Sequence, residues 1–216
     1  MILLTGFEPF GGDSSNPSWT AVLVGQEILR AEGHEVEALE LPCVFGESDG
    51  VLREAMVRLC PELVICVGLA GGRDRLSLER VAINVDDAGI PDNAGNQPID
   101  EPVIPAGPAA YFSTLPVKSA LRALQIAGIR AEVSQTAGTY VCNHVFYALM
   151  HQLSGAAVAA HARGGFIHVP YDEAQLPQGS TAPAMAARDM GEGIAVVVRT
   201  ALEIPVDAKL SAGAIH

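Results

Sequence analysis

The sequence predicts a single-domain three-layer α/β/α sandwich with a twisted, mostly parallel (mixed) central sheet. Three observations carry this fold class. Segments of strand character alternate with segments of helical periodicity, the pattern of a sheet covered by helices on both faces. LVICVGL, residues 63–69, is a continuous apolar run closed by glycines, as a strand buried on both sides requires. Hydrophobic residues make up 49% of the 216 and aromatics only 5%, so the core must be built from Ala, Val, Leu and Ile.

The elements follow in order. Residues 2–5 (ILLT) read as a short buried strand, and GFEPFGGDSSNPS after it as a loop rich in Gly, Pro, Ser and Asn. Asn16-Pro17 opens a helix, because Asn is a favoured N-cap and Pro fits the first helical position. Ala21, Val24, Ile28 and Ala31 give that helix its apolar stripe. Residues 35–41 read as a strand, and Val51, Leu52, Ala55, Met56 and Leu59 mark a second amphipathic helix. After the central run at 63–69, LERVAINV (78–85) reads as one further strand with an antiparallel partner nearby. The Pro/Gly/Asn-rich stretch IPDNAGNQPIDEPVIPAGPAA resolves into no elements; a loop of this length in a compact domain is often functional. Residues 118–127 are helical, 131–134 a strand, and 141–153 a helix with Val145, Phe146, Leu149, Met150 and Leu153 on its apolar face. GFIHVP is a strand closed by proline, and a last helix is expected over 181–201. One domain spans 1–210, and the tail 211–216 is expected to be disordered.

A net charge of −12 leaves few cations to neutralise phosphates, which argues against a nucleic-acid partner. No apolar run approaches the roughly 18–20 residues needed to span a bilayer. Met1 leads directly into ILLT without a basic lead-in, so a cytoplasmic protein without a secretory leader is expected. Cys43, Cys60, Cys66 and Cys142 show no paired spacing and read as free thiols, the first three as small core residues. No cluster has metal-ligand spacing, so neither metal nor other cofactor is expected.

Cys142 differs from the other cysteines in its setting. GTYVCNH places it in the first turn of a helix, where the dipole and free backbone N–H groups favour a nucleophilic thiolate. It shares a face with Val145, Phe146 and Leu149, which fits the floor of a cleft and equally a core cysteine. His144 lies about 200° round the helix from it and cannot serve as its base, so a structural or surface role is expected. His151 and His161 read as solvated, and His216 is terminal. His168 in FIHVP lies among apolar residues, either as a catalytic imidazole or as a hydrogen-bonded core histidine. Glu79 points inward if its strand is regular, sharing a face with Val81, Ile83 and Val85. Its partner is then the histidine or an arginine among Arg73, Arg75 and Arg80. Phe7 and Phe10 are two of few aromatics and share one loop, which suggests an apolar wall for a small flat ligand or an anchor into the core. The same loop lacks the Lys-Ser/Thr ending of a phosphate loop and carries Glu8.

Four stretches together, LLTGFEPFGG with NPSW, ERVAINVDDAGIPDNAGNQP, GTYVCNH and GFIHVP, strongly resemble the pyroglutamyl peptidase I (pyrrolidone-carboxylate peptidase) family of cysteine peptidases. They occur in family order across residues 1–170. The resemblance implies a Cys–His–Glu triad, carried here by Cys142, His168 and Glu79. It implies a pyrrolidone pocket lined by Phe7 and Phe10, with Asn16 near it, and a homotetramer. Members often have a glutamine where this chain has Leu69, an arginine where it has Gly89, and a phenylalanine where it has Tyr140.

The activity so implied is removal of N-terminal pyroglutamate from peptides. Cys142 would attack the pyroglutamyl carbonyl, His168 would move the proton, and backbone N–H groups at Val141 and Cys142 would hold the oxyanion. Two alternatives are a non-catalytic binder of the same ligands, suggested by Leu69 and Gly89, and a nucleoside phosphorylase-like enzyme, which would need a basic phosphate site that the sequence does not offer.

Overall fold

A computed structural model describes residues 1–155, 162–177 and 179–213. In chain order the elements are β1 (Ile2–Phe7), α1 (Pro17–Ala31), β2 (Val36–Leu41), α2 (Ser48–Leu59), β3 (Leu63–Leu69), β4 (Leu76–Glu79) and β5 (Val81–Ile83). There follow β6 (Ala110–Phe112), α3 (Val117–Ile126), β7 (Ala131–Ser134), α4 (Val141–Ser154), β8 (Arg163–Val169), β9 (Tyr171–Asp172), β10 (Ala184–Met185) and α5 (Ala187–Glu203). Six strands form the main sheet in the order β2-β1-β3-β8-β4-β7. All neighbours run parallel except β4 against β8. The sheet is therefore mixed, as expected, with the buried strands β3 and β8 at its centre.

Period-two alternation sends the side chains of each central strand to two different cores. Ile65, Val67, Ile167 and Val169 pack with Ala21, Leu124, Met190 and Ile194 on the side of α1, α3 and α5. Val64, Cys66 and Phe166 pack with Leu52, Met56, Val145, Phe146 and Leu149 on the side of α2 and α4. These are the three layers. The second core holds the site, because α4 is buried almost all round its axis, polar Asn143 and His144 included.

Four expectations need correcting. The stretch 78–85 is not one strand: β4 belongs to the main sheet, and after Arg80 the chain leaves to pair as β5 with β6 in a separate antiparallel ribbon. Arg80 is the switch, its N–H donating to Ser134 O at 3.0 Å while its carbonyl accepts from Ser113 N at 2.9 Å. The buried face of α1 is Ala21, Val22, Gly25 and Leu29, rotated from the apolar stripe, because α5 crosses where Gly25 and Gly191 let the backbones meet. A Cβ on Gly191 would lie 2.4 Å from Val24 Cγ1. The last helix begins at Ala187, since Ala184–Met185 pairs instead with β9. Cys60 is exposed rather than in the core, being the left-handed C-cap of α2 with φ of 45°.

The long loop between β5 and β6 is held by side chains in place of a ladder. Asn84 closes its base, donating to Ile104 O at 2.9 Å and accepting from Ile104 N at 2.9 Å. Asp92 accepts from the N–H groups of Phe45, Ala94 and Asn96 at 2.8–2.9 Å. Asn93 Nδ2 donates to Glu8 Oε1 at 2.8 Å, joining this loop to the GFEPFGG loop. Residues 211–213 carry no regular structure, and the rest of the tail, like His161 and His216, lies outside the described residues.

Candidate active site

The loops after β1 and β3, the start of α4 and the end of β8 meet at one edge of the sheet, where α/β sheets place their sites. There a cavity of about 280 Å³ opens, and Phe7, Phe10, Asn16, Leu69, Tyr140 and Cys142 all line it. The sequence thus pointed to six of its walls. It missed Cys43, Gly71 and Tyr171, which also line it and belong to no motif that signals chemistry. Val141 is fully buried under the start of α4, so only its backbone can serve the site. Gly89 does not line the cavity.

Cys142 occupies the second position of α4. Tyr140, the N-cap, supplies no side-chain cap to this helix start, because its hydroxyl donates to Pro91 O at 3.0 Å instead. Backbone donors of the first turn have no intrahelical acceptors, so those of Val141 and Cys142 are available beside the sulfur. Asn143 fixes the helix start to β5: it accepts from Ile83 N at 3.0 Å and donates to Ile83 O at 2.9 Å and Val85 O at 3.0 Å. An Asn next to a Cys carries no recognisable signal in sequence, so this anchor was missed.

His168 reaches the same place from the sheet. It shares the α4-facing side of β8 with Phe166, and the two rings lie 4.9 Å apart. Its register partner on β3 is Gly68. A Cβ on Gly68 would stand 2.7 Å from Cys142 Sγ and 2.8 Å from Phe166 Cζ. Only glycine lets the sulfur settle against the strand beside the histidine.

Glu79 is fully buried, but not for the reason that strand regularity offered: Val81 and Ile83 are only half-buried and belong to another ribbon. Glu79 stands opposite Phe166 in the antiparallel β4–β8 pair, so it shares that residue's face and lies diagonal to His168. Its Oε1 meets His168 Nδ1 at 2.8 Å and accepts from the Arg73 guanidinium at 2.9 Å. The two partners weighed for this acid are thus both real and share one oxygen. A carboxylate on Nδ1 selects the tautomer with its proton there and leaves Nε2 as the base.

Electrostatics at the sulfur depart from the expectation of a dipole-stabilised thiolate. Burial pushes the Cys142 thiol up, and the Cys43 thiol and Glu79 carboxylate add to it, against Arg73. Burial thus opposes the charged form that the helix start favours. Burial, with Glu8 and Asp92, likewise pushes Cys43 up to about 12.

The aromatic wall is larger than its two expected members. Tyr140 packs against Phe10 at 5.5 Å and edge-on to Phe45 at 5.4 Å. Asn16 is buried and committed: its Oδ1 accepts from Ser18 N at 3.0 Å and Ser18 Oγ at 2.9 Å, and its Nδ2 donates to Glu8 O at 2.9 Å. It both caps α1 and shapes the loop that carries the phenylalanines. His144 is structural, tied to Asp86 at 2.7 Å and Asp49 at 3.4 Å. Burial opposes its charge, but these two carboxylates prevail and hold it up at about 9. His151 is half-buried rather than solvated, meeting Tyr111 Oη at 2.9 Å and stacking on Tyr147.

Among the described residues, no three His, Cys, Asp or Glu side chains gather as a metal site would need, and no helix is long and apolar enough to cross a membrane.

Residues 1–204 match the sequence model of the pyroglutamyl peptidase family. The pyrrolidone-carboxylate peptidase of Escherichia fergusonii is 53% identical over 215 residues, covering 100% of this chain and 99% of that protein. That of Streptomyces coelicolor is 54% identical over 220 residues, with coverage of 100% and 99%. The crystal structure of Bacillus amyloliquefaciens pyroglutamyl peptidase I superposes with a TM-score of 0.88 at 45% identity, covering 96% of this chain and 98% of that one. A mutant pyrrolidone carboxyl peptidase from Pyrococcus furiosus gives 0.83 at 38% identity, with coverage of 94% and 98%. With both the fold and the length of the chain matched, this chain belongs to the pyroglutamyl peptidase family.

Proposed function

We propose that Cys142, His168 and Glu79 carry this cysteine peptidase's reaction, hydrolysis of the amide bond after an N-terminal pyroglutamyl residue. The observation that supports it best is Cys142 Sγ seated on Gly68, the strand partner of a histidine whose other nitrogen is held by a buried carboxylate. The flat, uncharged lactam lies against Phe10 and Tyr140 with Leu69 as a further apolar neighbour, so its polar recognition falls to backbone groups. A free N-terminal glutamate would bring charges that such walls penalise.

The Cys142 thiol proton passes to His168 Nε2 as sulfur attacks the carbonyl carbon. The oxyanion that forms faces the N–H groups of Val141 and Cys142. His168, positively charged and paired with Glu79, then returns the proton to the departing amine nitrogen. The C–N bond breaks and a thioester remains. Water enters, gives a proton to His168 and its oxygen to the acyl carbon; the sulfur leaves and recovers a proton. Free pyroglutamate is released.

Cys142→Ala should abolish release of aminocoumarin from a pyroglutamyl substrate while prolyl and glutamyl analogues remain uncleaved by the parent enzyme. Retained turnover in that variant would refute the mechanism. The catalytic unit is residues 1–210, supported by Asp207, which accepts from Lys118 N at 3.0 Å and Ser119 N at 2.9 Å and so ties the segment after α5 to α3. The reading includes a cytoplasmic homotetramer, in keeping with exposed Ile90, Ile99 and Phe112, and light scattering of the purified chain tests the assembly.

A further inference from the structure

A second cavity, of about 330 Å³, adjoins the first, and Asp13, Ser15 and Tyr171 line both. Its other walls include Gln175, Leu176 and Pro177 from the segment after β9 and Pro17 from the start of α1. The two cavities therefore lie side by side as one trough across these shared residues, and the site's chemistry gives it a direction. The aromatic wall of Phe10 and Tyr140 takes the lactam ring. The amine must leave on the side of His168, which has to protonate it. Tyr171, the first residue of β9, follows His168 by three residues, and its ring leans over Gly71 so closely that a Cβ there would meet its hydroxyl at 2.6 Å. Beyond that ring the second cavity begins.

We infer that this cavity receives the residues downstream of the scissile bond and selects for a basic side chain there. This rests on the pyroglutamyl peptidase reading of the first cavity. Asp13 is the one charged side chain among the residues that line the second, with no lysine or arginine to offset it. It is exposed at the boundary of the two cavities, within the loop whose phenylalanines line the first. A lysine or arginine just after the pyroglutamyl residue gains an opposite charge there, and an acidic residue meets a like one. Gln175 and the serines offer hydrogen bonds and no charge. The trough's polar walls suit a peptide that stays hydrated as it departs.

The test compares kcat/KM for two amidated tripeptides, pyroglutamyl-Arg-Ala and pyroglutamyl-Glu-Ala, at low ionic strength. The Arg-to-Glu ratio should be about three- to tenfold in favour of arginine, the size of one solvent-exposed charge contact made and its repulsive counterpart avoided. Asp13→Asn should lower the ratio several-fold, and Gln175→Lys, on the far wall, should lower it independently. Ratios within one variant cancel any common loss of activity. The protein's overall charge of −12 favours cationic peptides and each variant changes it by a single unit, so a several-fold change in ratio reports the cavity. Ratios unchanged in both variants would overturn the inference while leaving the peptidase reading intact. Failure of the parent enzyme to release aminocoumarin from a pyroglutamyl substrate would instead remove the reading beneath it.

Discussion

Glu79→Gln isolates the charge of the buried acid from its shape. The side chain is fully buried, with Oε1 shared between His168 Nδ1 at 2.8 Å and Arg73 at 2.9 Å, while Oε2 has no partner among the described residues. A glutamine fits the same volume, and its carbonyl oxygen can still accept from both groups. What disappears is the negative charge that stabilises the imidazolium formed during attack. A hydrogen bond to a charged partner is worth about 1.5–3 kcal/mol. At 1.4 kcal/mol per factor of ten, kcat/KM should fall about 10- to 150-fold. The loss is greater if the amide turns its NH2 toward Nδ1, because the proton then moves to Nε2 and the base is lost. The assay is steady-state release of aminocoumarin from a pyroglutamyl substrate, with thermal unfolding in parallel to show that the variant is folded. A folded variant with activity within about threefold of the parent would refute the role given to the carboxylate.

Two further outcomes follow from the titrating groups. His144 is held at about 9 in the fold against an ordinary value of about 6.5, so between these the native state binds more protons than the unfolded one. Its pairing with Asp86 and Asp49 stabilises fully below about 6.5 and is lost as pH rises through about 9, a change on the order of 3 kcal/mol. The melting temperature should therefore fall between pH 7 and 9.5, and His144→Asn, less stable at pH 7, should lose that slope; an equal slope in both proteins would contradict the pairing. Because burial raises the Cys142 thiol, alkylation by iodoacetamide should accelerate steadily into the alkaline range, measured in a Cys60→Ser background since Cys60 is exposed. A rate already at its plateau at neutral pH would mean that a thiolate–imidazolium pair exists at rest.

The fold was legible in the sequence wherever the deciding physics is local. The apolar run of β3 marked a central strand, and Asn16-Pro17 marked the start of α1 to the residue. Failures came where a distant partner decided. LERVAINV has uniform strand character, but Arg80 changes sheets because β6, some thirty residues on, is there to receive Val81–Ile83. Thr181 to Ala186 is rich in alanine and looks helical, yet Pro183 disfavours helix at Ala182, and β9 captures Ala184 and Met185. Glu79 shows both sides at once: inward placement was read correctly from a strand regularity that does not exist, and its real cause is the register against Phe166. Asn143 and Tyr171 were invisible because an anchoring amide and a half-buried tyrosine look like ordinary helix and loop residues.

The long unassigned loop connects these two lessons. Its turns carry no hydrophobic period, and its order comes from carboxylates and amides that accept or donate to backbone: Asn84 at the base, Asp92 beneath Phe45, Asn93 on Glu8. Asp92 spends its oxygens on three backbone N–H groups and the Asn96 amide, so although burial opposes it, its carboxyl stays below the usual carboxylate range. The same device recurs at Asp207, which three N–H groups and the Ser119 hydroxyl hold down. A chain with 25 acidic and 13 basic residues can thus keep buried carboxylates charged without matching each to a cation. Among the described residues, the buried carboxylates that do meet a cationic side chain are Glu79, with Arg73 and His168, and Asp86, with His144, which also reaches the half-buried Asp49. The first orders the imidazole proposed as the base. The second fastens α4, α2 and the long loop together about half a turn from Cys142, so the histidine that geometry excluded as its base helps set the position of the helix that carries it.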